Sequence, residues 1–301
     1  MIRERILITG ANGDLGGRLV REAIENTDYD VIAVSKSRDK VRDMLDRERI
    51  SGCDRVIPFG REDFFGSDRA DLRISAAVHM AFSRANRPAA DIADSLDYAE
   101  KSFQKLYDMR VPRIVYISSQ SVYGTTAEWR QEDLPAAPET VYSMAKYAGE
   151  KLLEAKFLGA PGTEWSVLRL DYVIQSQKLV RALCRDAKNS GAIHLKGGRQ
   201  TFSYIDRADV AGAITALLRS QGPWKPVYNV GPDHMRYTLT EIAGIVASVA
   251  GRHGAPDVTV SLEENDTVLW SGMDSTRFMK DTGWRPSRDI YQMVEAIYEE
   301  V

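Results

Sequence analysis

Short apolar runs rich in β-branched residues alternate with amphipathic helical patterns along the first part of the chain. The runs predict strands at residues 6–9, 31–34, 54–59, 74–80, 113–117 and 165–170. The intervening patterns predict helices from residue 15 onward, at 38–49, at 91–108 and at 142–158. Apolar strands separated by helices are typical of a parallel sheet covered on both faces. The pattern therefore predicts an α/β fold with a Rossmann-type, doubly wound parallel sheet.

The regular alternation ends near residue 170, and Pro and Gly cluster at residues 222–226 and 251–256. We interpret residues 1–169 as a dinucleotide-binding Rossmann domain. Residues 170–301 are interpreted as mostly a smaller C-terminal substrate-binding region, from which some segments return to the Rossmann domain. No internal repeat or low-complexity tract is visible in the sequence.

A glycine-rich turn with the spacing GxxGxxG joins the first predicted strand to the first predicted helix. Glycine is needed where the backbone turns tightly and approaches a pyrophosphate. Backbone N–H groups and the helix dipole then face the phosphates. Because the required strand and helix flank this turn, we expect a bound dinucleotide rather than a turn without a ligand. The predicted contacts are Gly10, Asn12, Gly13, Asp14, Leu15 and Gly16.

The second strand ends in Ser35-Lys36-Ser37-Arg38 and lacks the acidic residue that usually accepts from the ribose of NAD. Lys36 and Arg38 suit a 2′-phosphate, because cations form charge-assisted hydrogen bonds with phosphate oxygens. Asp39 nearby leaves NAD open as the alternative. We therefore favour NADP as the cofactor, with Ser35, Lys36 and Arg38 among its contacts.

The fifth strand ends in a serine segment that contains Ser118, Ser119 and Ser121, and the next helix begins with Tyr142 and carries Lys146. Residues four apart share one helix face. A free tyrosine has a pKa near 10, and a cation beside it is expected to favour the phenolate and lower that pKa. The pair would then exchange protons with a substrate, while a serine hydroxyl binds the reacting oxygen.

Taken together, these motifs resemble those of the extended short-chain dehydrogenase/reductase family, in its NAD-dependent epimerase/dehydratase branch. The resemblance covers nearly the whole chain. It rests on the TGxxGxxG turn at residues 9–16, HMA at 79–81, SSxxVYG at 118–124, YxxxK at 142–146, LRL at 168–170, YIDxxDVA at 204–211, VYNVG at 227–231 and TGWRP at 282–286.

The resemblance implies hydride transfer between a nicotinamide ring and a substrate carbon. It assigns Ser119 as the hydroxyl that binds the substrate oxygen, Tyr142 as the acid/base, and Lys146 as the residue that tunes Tyr142 and anchors the ribose. Ser118 and Ser121 are the alternative serines. It also implies that His79, Met80, Ala81 and Ser118 contact the cofactor, as do Tyr142 and Lys146.

The sequence departs from the family pattern where sugar-nucleotide members bind their substrate. Dehydrating members have Thr-Asp-Glu in the serine segment, so a dehydratase is not expected here. Tyr172 stands where an Asn is expected, and Phe202 stands where an Arg contacts the diphosphate. Arg199 and Arg277 are the cations that could compensate. The predicted substrate contacts are Ser119, Ser121, Tyr172, Arg199, Phe202 and Trp270.

Three functions follow. The first is an NAD(P)-dependent oxidoreductase or epimerase that acts on a sugar or nucleotide sugar. The alternative is an NADPH-dependent ketone or aldehyde reductase with a non-nucleotide substrate, because the Lys36/Arg38 loop suits NADPH and the expected diphosphate-binding arginines are missing. The third is a cofactor-sensing protein without turnover, against which the intact Ser119, Tyr142 and Lys146 argue.

The amino-acid composition limits the classes of ligand and partner that we expect the chain to bind. Forty Lys and Arg against 43 Asp and Glu leave a formal charge of -3, which gives no reason to expect nucleic acid. No apolar run is long enough for a membrane span, and the first residues lack the pattern of a signal peptide. The two cysteines and four histidines are not spaced for a metal site. We expect a cytoplasmic enzyme with a small-molecule substrate and, by the resemblance, a homodimer.

Overall fold

The computed structural model describes residues 3–68 and 72–301 and is built around a parallel sheet. Its seven strands are β1 (Arg5–Thr9), β2 (Asp30–Val34), β3 (Val56–Phe59), β4 (Ile74–His79), β5 (Arg113–Ser119), β6 (Glu164–Leu170) and β11 (Val227–Val230). All neighbours run parallel in the order β11-β6-β5-β4-β1-β2-β3. The order reverses between β1 and β4, where doubly wound sheets form a ligand-binding crevice. The predicted fold is confirmed.

Helices cover both faces of this sheet. They are α1 (Asp14–Asn26), α2 (Arg38–Glu48), α3 (Arg61–Gly66), α4 (Ala89–Asp108), α5 (Val141–Phe157), α7 (Arg207–Arg219) and α9 (Thr276–Thr282). Side chains of α1, α2, α7 and α9 bury one face. Side chains of α3, α4 and α5 bury the other, including Phe64, Phe103 and Phe157. Burial on both faces explains why the strands are continuous apolar runs.

The C-terminal part contains a second apolar cluster formed by α6 (Lys178–Ser190), α8 (Leu239–Arg252) and α10 (Ile290–Glu300). Three small strand pairs border it: β7 (Tyr172–Val173) with β10 (Tyr204–Ile205), β8 (Ala192–Lys196) with β13 (Thr259–Glu263), and β9 (Thr201–Phe202) with β12 (Tyr237–Thr238). In contrast, β11, α7 and α9 pack with the central sheet. The domain division at residues 169 and 170 stays a prediction.

The six predicted strands and four predicted helices are all present, with small shifts at their ends. Strand β3 begins at Val56 because residues 53–55 form a 3₁₀ turn after Gly52, whose φ is +81°. Helix α5 begins at Val141 because the Thr140 hydroxyl accepts from the Ser143 N–H at 3.1 Å. No described helix is both long and apolar enough to cross a bilayer.

Close packing of α5 on β5 positions the residues considered below. A Cβ at Gly149 would lie 2.4 Å from the Tyr116 hydroxyl oxygen, so a side chain at this position would push α5 away from β5. With glycine there, Tyr142 and Lys146 lie beside the carboxyl end of β5.

Candidate functional site

The glycine turn between β1 and α1 leaves no room for side chains. Gly10 has a φ of +72°, and a Cβ there would lie 2.9 Å from the Cα of Ala81. A Cβ at Gly16 would lie 2.2 Å from the Gly10 carbonyl oxygen. Gly13 is the N-cap of α1, so the free N–H groups of the first helical turn lie at this turn. The geometry fits a pyrophosphate, as the spacing predicts.

A cavity runs from this turn along the carboxyl ends of β2, β3 and β4. Seven of its lining residues are predicted from the sequence: Gly10, Asn12, Gly13, Ser35, Lys36, Met80 and Ala81. Six more have no sequence signal of their own: Val34, Arg61, Phe82, Ser83, Ser95 and Tyr98. Parallel strands end at one edge of a sheet, so residues that directly follow β3 and β4 were candidates on topology alone.

Two residues of the predicted turn are held by protein contacts outside this lining. The Asp14 carboxylate accepts a hydrogen bond from the Arg207 guanidinium. Leu15 packs against the sheet core. The Asn12 side chain, in contrast, lines the cavity and accepts from the Ser35 hydroxyl at 2.7 Å.

The cations at the ends of β2 and β3 differ in their partners. Arg38 donates to the Asp63 carboxylate from Nε at 2.7 Å and from a terminal nitrogen at 2.5 Å, and it does not line the cavity. The hydrogen bond from Arg38 lowers the pKa of Asp63 to about 2. Lys36 and Arg61 do line the cavity, and the Arg61 guanidinium lies 4.0 Å from the centre of the Tyr98 ring. The cationic side of the cavity is therefore Lys36 with Arg61, not Lys36 with Arg38.

His79 is fully buried, and its imidazole does not line the cavity. Its Nδ1 lies 3.0 Å from the Thr9 hydroxyl, which also accepts from the backbone N–H groups of Met80 at 3.2 Å and Ala81 at 3.4 Å. Burial lowers the pKa of His79 to about 3, so the ring is neutral. His79 therefore does not line the cavity itself. It is linked through the Thr9 hydroxyl to Met80 and Ala81, which do.

Ser119, Tyr142 and Lys146 lie together at the carboxyl end of β5. The Ser119 side chain lies close enough to the Tyr142 hydroxyl to lower the pKa of that hydroxyl. The Ser119 hydroxyl also accepts from the backbone N–H of Ser121 at 3.2 Å and from its hydroxyl at 3.1 Å. The buried Lys146 ammonium donates to the Ile117 carbonyl at 2.8 Å. The structure therefore brings the three predicted catalytic side chains together.

Burial acts on both titratable members of this trio. It raises the pKa of Tyr142 to about 12, with the nearby Ser119 side chain acting in the opposite direction. It lowers the pKa of Lys146 to about 7, and Glu150 opposes that shift. The expected lowering of the Tyr142 pKa is thus wrong for this structure, because burial is the largest cause and raises it. The Lys146 Nζ lies 6.0 Å from the Tyr142 ring centre.

Ser118 is held in a buried ionic network beneath this trio. Its hydroxyl donates to the Glu150 carboxylate at 2.5 Å. Arg169 donates to the same carboxylate from Nε at 3.0 Å and from a terminal nitrogen at 2.6 Å. The side chain expected to contact the cofactor is therefore already paired within the protein.

A second buried network links the Ser119 turn to the C-terminal part. The Gln120 amide donates to the Asp171 carboxylate at 2.6 Å, and the Ser203 hydroxyl donates to the other carboxylate oxygen at 2.6 Å. The Gln120 side-chain oxygen accepts from the Gly272 N–H at 3.2 Å. Burial raises the pKa of Asp171 to about 7. The sequence patterns did not single out this network, because its members are far apart in the chain.

Of the predicted substrate residues, Tyr172 and Phe202 are brought into one aromatic group. Phe202 stacks on Tyr204 with ring centres 5.8 Å apart, and Tyr172 lies 6.3 Å from the same ring. Trp270 is half-buried, and its carbonyl accepts from Arg130 at 2.7 Å. Arg199 is exposed.

Two arginines near this aromatic group, Arg130 and Arg236, belong to none of the motifs found in the sequence. Arg130 is buried and donates to the carbonyls of Gly124, Trp270 and Gly272. The Arg236 guanidinium lies 3.8 Å from the centre of a Trp129 ring. Burial lowers the pKa of Arg236, and the positive charge of nearby Arg130 lowers it further. Two guanidinium groups therefore lie near the aromatic group formed by Tyr172, Phe202 and Tyr204.

In the described part of the chain, one group of side chains has the composition of a metal site: Asp233, His234 and Asp274. Asp233 lies 2.9 Å from Nδ1 of His234, whereas Asp274 lies 3.9 Å from Nε2. The carboxylates therefore face opposite ring nitrogens, and Asp233 also accepts from the Ser275 N–H at 2.9 Å. The group is arranged as a hydrogen-bonded cap before α9.

Comparison with known proteins places the chain in a family. The model of the NAD dependent epimerase/dehydratase family matches residues 6–231, so the chain belongs to that family. It is an enzyme of the extended short-chain dehydrogenase/reductase type, as the motifs predict.

Individual relatives are distant. The low-salt glycan biosynthesis protein Agl12 of Haloferax volcanii is 24% identical over 97% of this chain and 96% of its own length. The dTDP-glucose 4,6-dehydratase of Neisseria gonorrhoeae is 22% identical over 94% and 91%. The structure of a UDP-glucuronic acid 4-epimerase from Bacillus cereus in complex with NAD matches with a TM-score of 0.80 at 19% identity, over 98% of this chain and 97% of that one.

The substitution Asp171→Asn is expected to change how stability depends on pH. Burial raises the Asp171 pKa from 3.8 to about 7, so the folded protein retains a proton that the unfolded chain has lost. This carboxyl therefore lowers the free energy of unfolding as pH rises through that window, by up to about 1.4 kcal/mol per pH unit. Urea unfolding of both proteins across the window measures the difference in slope, and parallel curves would contradict the prediction.

Proposed function

We propose that the protein is an NAD(P)-dependent oxidoreductase or epimerase that transfers hydride to and from a sugar or nucleotide sugar. The observation that carries the proposal is the grouping of Ser119, Tyr142 and Lys146 at the carboxyl end of β5. The dinucleotide cavity lies at the same edge of the sheet, and Phe82 belongs to its lining while contacting both Tyr142 and Lys146.

The residues present fit a nicotinamide dinucleotide. The tight turn at Gly10 and Gly16 and the N-terminus of α1 would hold its pyrophosphate, and the cavity from Ser35 to Tyr98 would hold its adenosine end. When bound, the cofactor supplies the acceptor and donor of hydride.

The protein's own groups handle the proton. In the oxidative direction, Tyr142 as phenolate takes the proton of a substrate hydroxyl while hydride leaves the carbon that bears it, and a carbonyl forms. Ser119 donates a hydrogen bond to that oxygen as its charge develops. The reverse step returns hydride to the carbon and the Tyr142 proton to the oxygen. An epimerase returns the hydride to the opposite face of the same substrate.

Two substrate classes remain as candidates. The nucleotide-sugar assignment is supported by the family and by relatives named for UDP- and dTDP-sugars. The alternative, an NADPH-dependent ketone or aldehyde reductase, is favoured by Tyr172 and Phe202, which occupy the expected polar and cationic positions and pack with Tyr204. Aromatic side chains offer no charge-assisted hydrogen bond to a diphosphate.

Tyr142→Phe tests the chemistry. Purified protein would be assayed with UDP-glucose, UDP-glucuronic acid, dTDP-glucose and a set of simple ketones and aldehydes, following cofactor absorbance and the sugar product. Turnover is expected to fall at least about 100-fold, because the proton donor is removed. NADH and NADPH binding should not change. Tyr147→Phe, one residue after Lys146 on the same helix, is the matched control with unchanged turnover. Full activity in the Tyr142 variant would overturn the mechanism, and no turnover with any compound would favour a sensor.

We propose NADP as the preferred cofactor. Lys36 and Arg61 would bind its 2′-phosphate, and Arg38 would not contact it. Lys36 and Arg61 line the cavity, whereas the charge of Arg38 is balanced by Asp63. NAD is the alternative, since the Bacillus cereus epimerase was solved with NAD.

Fluorescence titration with NADPH and NADH tests this assignment in three variants. Lys36→Ala and Arg61→Ala are each expected to weaken NADPH binding roughly tenfold more than NADH binding, because a charge-assisted hydrogen bond to the 2′-phosphate is lost. Arg38→Ala should leave the ratio of the two dissociation constants unchanged. Equal losses for both cofactors in the Arg61 variant would show that Arg61 binds the adenine instead.

We also propose that the protein is a homodimer that pairs through α4 and α5. These helices form a shallow groove lined by Ala93, Leu96, Ala148 and Leu152 together with the charged Asp97, Glu100 and Lys151, and Met144 is exposed beside it. An apolar strip flanked by both signs of charge and repeated on both copies suits a twofold axis. Light scattering should give twice the chain mass of 33.7 kDa. Ala148→Glu should yield the monomer mass, whereas Ser248→Glu on the exposed side of α8 should not. A wild-type monomer would refute this pairing.

We also propose a cytoplasmic location. Cys53 is exposed and Cys184 is buried, and neither forms a disulfide. Free thiols and a nicotinamide cofactor both suit a reducing compartment. The small negative charge of the chain supports a small-molecule substrate rather than nucleic acid.

A further inference from the structure

Phe82 connects the cofactor cavity to the catalytic pair. It lies three residues after the end of β4 and lines the cavity. The Lys146 ammonium nitrogen lies 4.0 Å from the centre of its ring, and the Tyr142 ring meets it edge-on, with centres 6.0 Å apart and planes at 84°. One side chain thus contacts both titratable members of the proposed catalytic trio.

The Lys146 charge needs such support because the side chain is only 3% exposed. The groups that face it come from four elements. On its own helix these are Tyr142 and Glu150, and on β5 they are the Ile117 carbonyl and the Tyr116 ring, 5.1 Å away. On β4 it is His79, which is neutral.

Phe82 belongs to the fourth element, the loop after β4, and is the aromatic ring that Lys146 approaches most closely among those described. A desolvated ammonium on an aromatic face is stabilised by the negative face of the ring. Phe82 therefore offsets part of the free-energy cost of burying the Lys146 charge. Phe82 lines the cavity, whereas Glu150 and Ile117 do not.

We propose that Phe82 is a positioning residue for the Tyr142–Lys146 pair: its ring face keeps the Lys146 ammonium charged and in place, and its edge sets the orientation of the Tyr142 ring. The effect on turnover rests on the function proposed above. The effect on Lys146 does not, because it concerns the protein without substrate.

The test measures the protonation of Lys146 directly. Protein labelled with carbon-13 at the lysine Cε is titrated with pH by NMR, and the Lys146 resonance is assigned by its loss in Lys146→Met. Phe82→Leu keeps an apolar side chain and removes the aromatic face, and it is expected to lower the Lys146 pKa by about one unit. Phe82→Tyr and Phe82→Trp retain the face and should titrate like the wild type.

The catalytic consequence has a defined sign. With less charge on Lys146 at neutral pH, the Tyr142 phenolate is harder to form, so the rise of kcat in the oxidative direction shifts to higher pH in Phe82→Leu. KM for the substrate should change little. Phe82→Tyr should restore the wild-type profile.

The outcomes separate the two proposals. An unchanged Lys146 titration in Phe82→Leu, or an equal shift in Phe82→Tyr, would overturn the role of Phe82 whatever the substrate is. A shifted titration without turnover on any tested compound would leave that role intact and count against the proposed function. Thermal unfolding checks that each variant is folded, and Phe82→Met replaces the leucine variant if that protein is unstable.

Discussion

The carboxylate of Glu150 holds together the three elements from which the candidate site is built. It lies on α5, accepts from Ser118 on β5 at 2.5 Å, and accepts from Arg169 on β6 at 2.6 and 3.0 Å. Removing one partner of such a buried pair leaves an uncompensated charge and typically costs about 3–5 kcal/mol. The placement of Tyr142 and Lys146 against Ser119 depends on this carboxylate, since it lies one turn beyond Lys146 on the same helix. Gly149 beside it lets the helix come close enough for the contact to form.

Burial acts in the same sense on both members of the proposed catalytic pair, Tyr142 and Lys146. The same low-polarity surroundings disfavour both the Lys146 ammonium and the Tyr142 phenolate. The pKa of Lys146 is therefore lowered and that of Tyr142 raised, and both shifts favour the neutral side chain. Opposite charges that form together stabilise each other in such surroundings, and the two titrations become properties of the pair. In the proposed mechanism, proton transfer at Tyr142 is therefore coupled to the charge on Lys146.

Local patterns in the sequence account for most of the fold. The strand runs, the glycine turn and the YxxxK spacing each depend on residues a few positions apart, and all appear in the structure where they were expected. The features that were missed depend on contacts between distant parts of the chain. Arg38 pairs with Asp63, 25 residues away, and Gln120 pairs with Asp171, 51 residues away. His79 turns into the core rather than toward the cavity, and Arg61, Phe82 and Tyr98 reach the cavity because of how strands and helices meet. The direction of the Tyr142 pKa depends on the degree of burial, which a four-residue spacing does not reveal.

The seventh strand of the sheet has a consequence for how the chain can be divided. β11 comes from residues 227–230 and pairs with β6 along its outer side, while α7 covers the face beside it. A fragment that stopped at residue 169 would leave β6 as an open edge, with an unpaired row of backbone N–H and C=O groups next to uncovered apolar side chains. Edges of this kind are templates for aggregation. The sheet that carries the glycine turn is therefore completed by a strand from residues 227–230, so a cut at residue 169 would separate two neighbouring strands of one sheet.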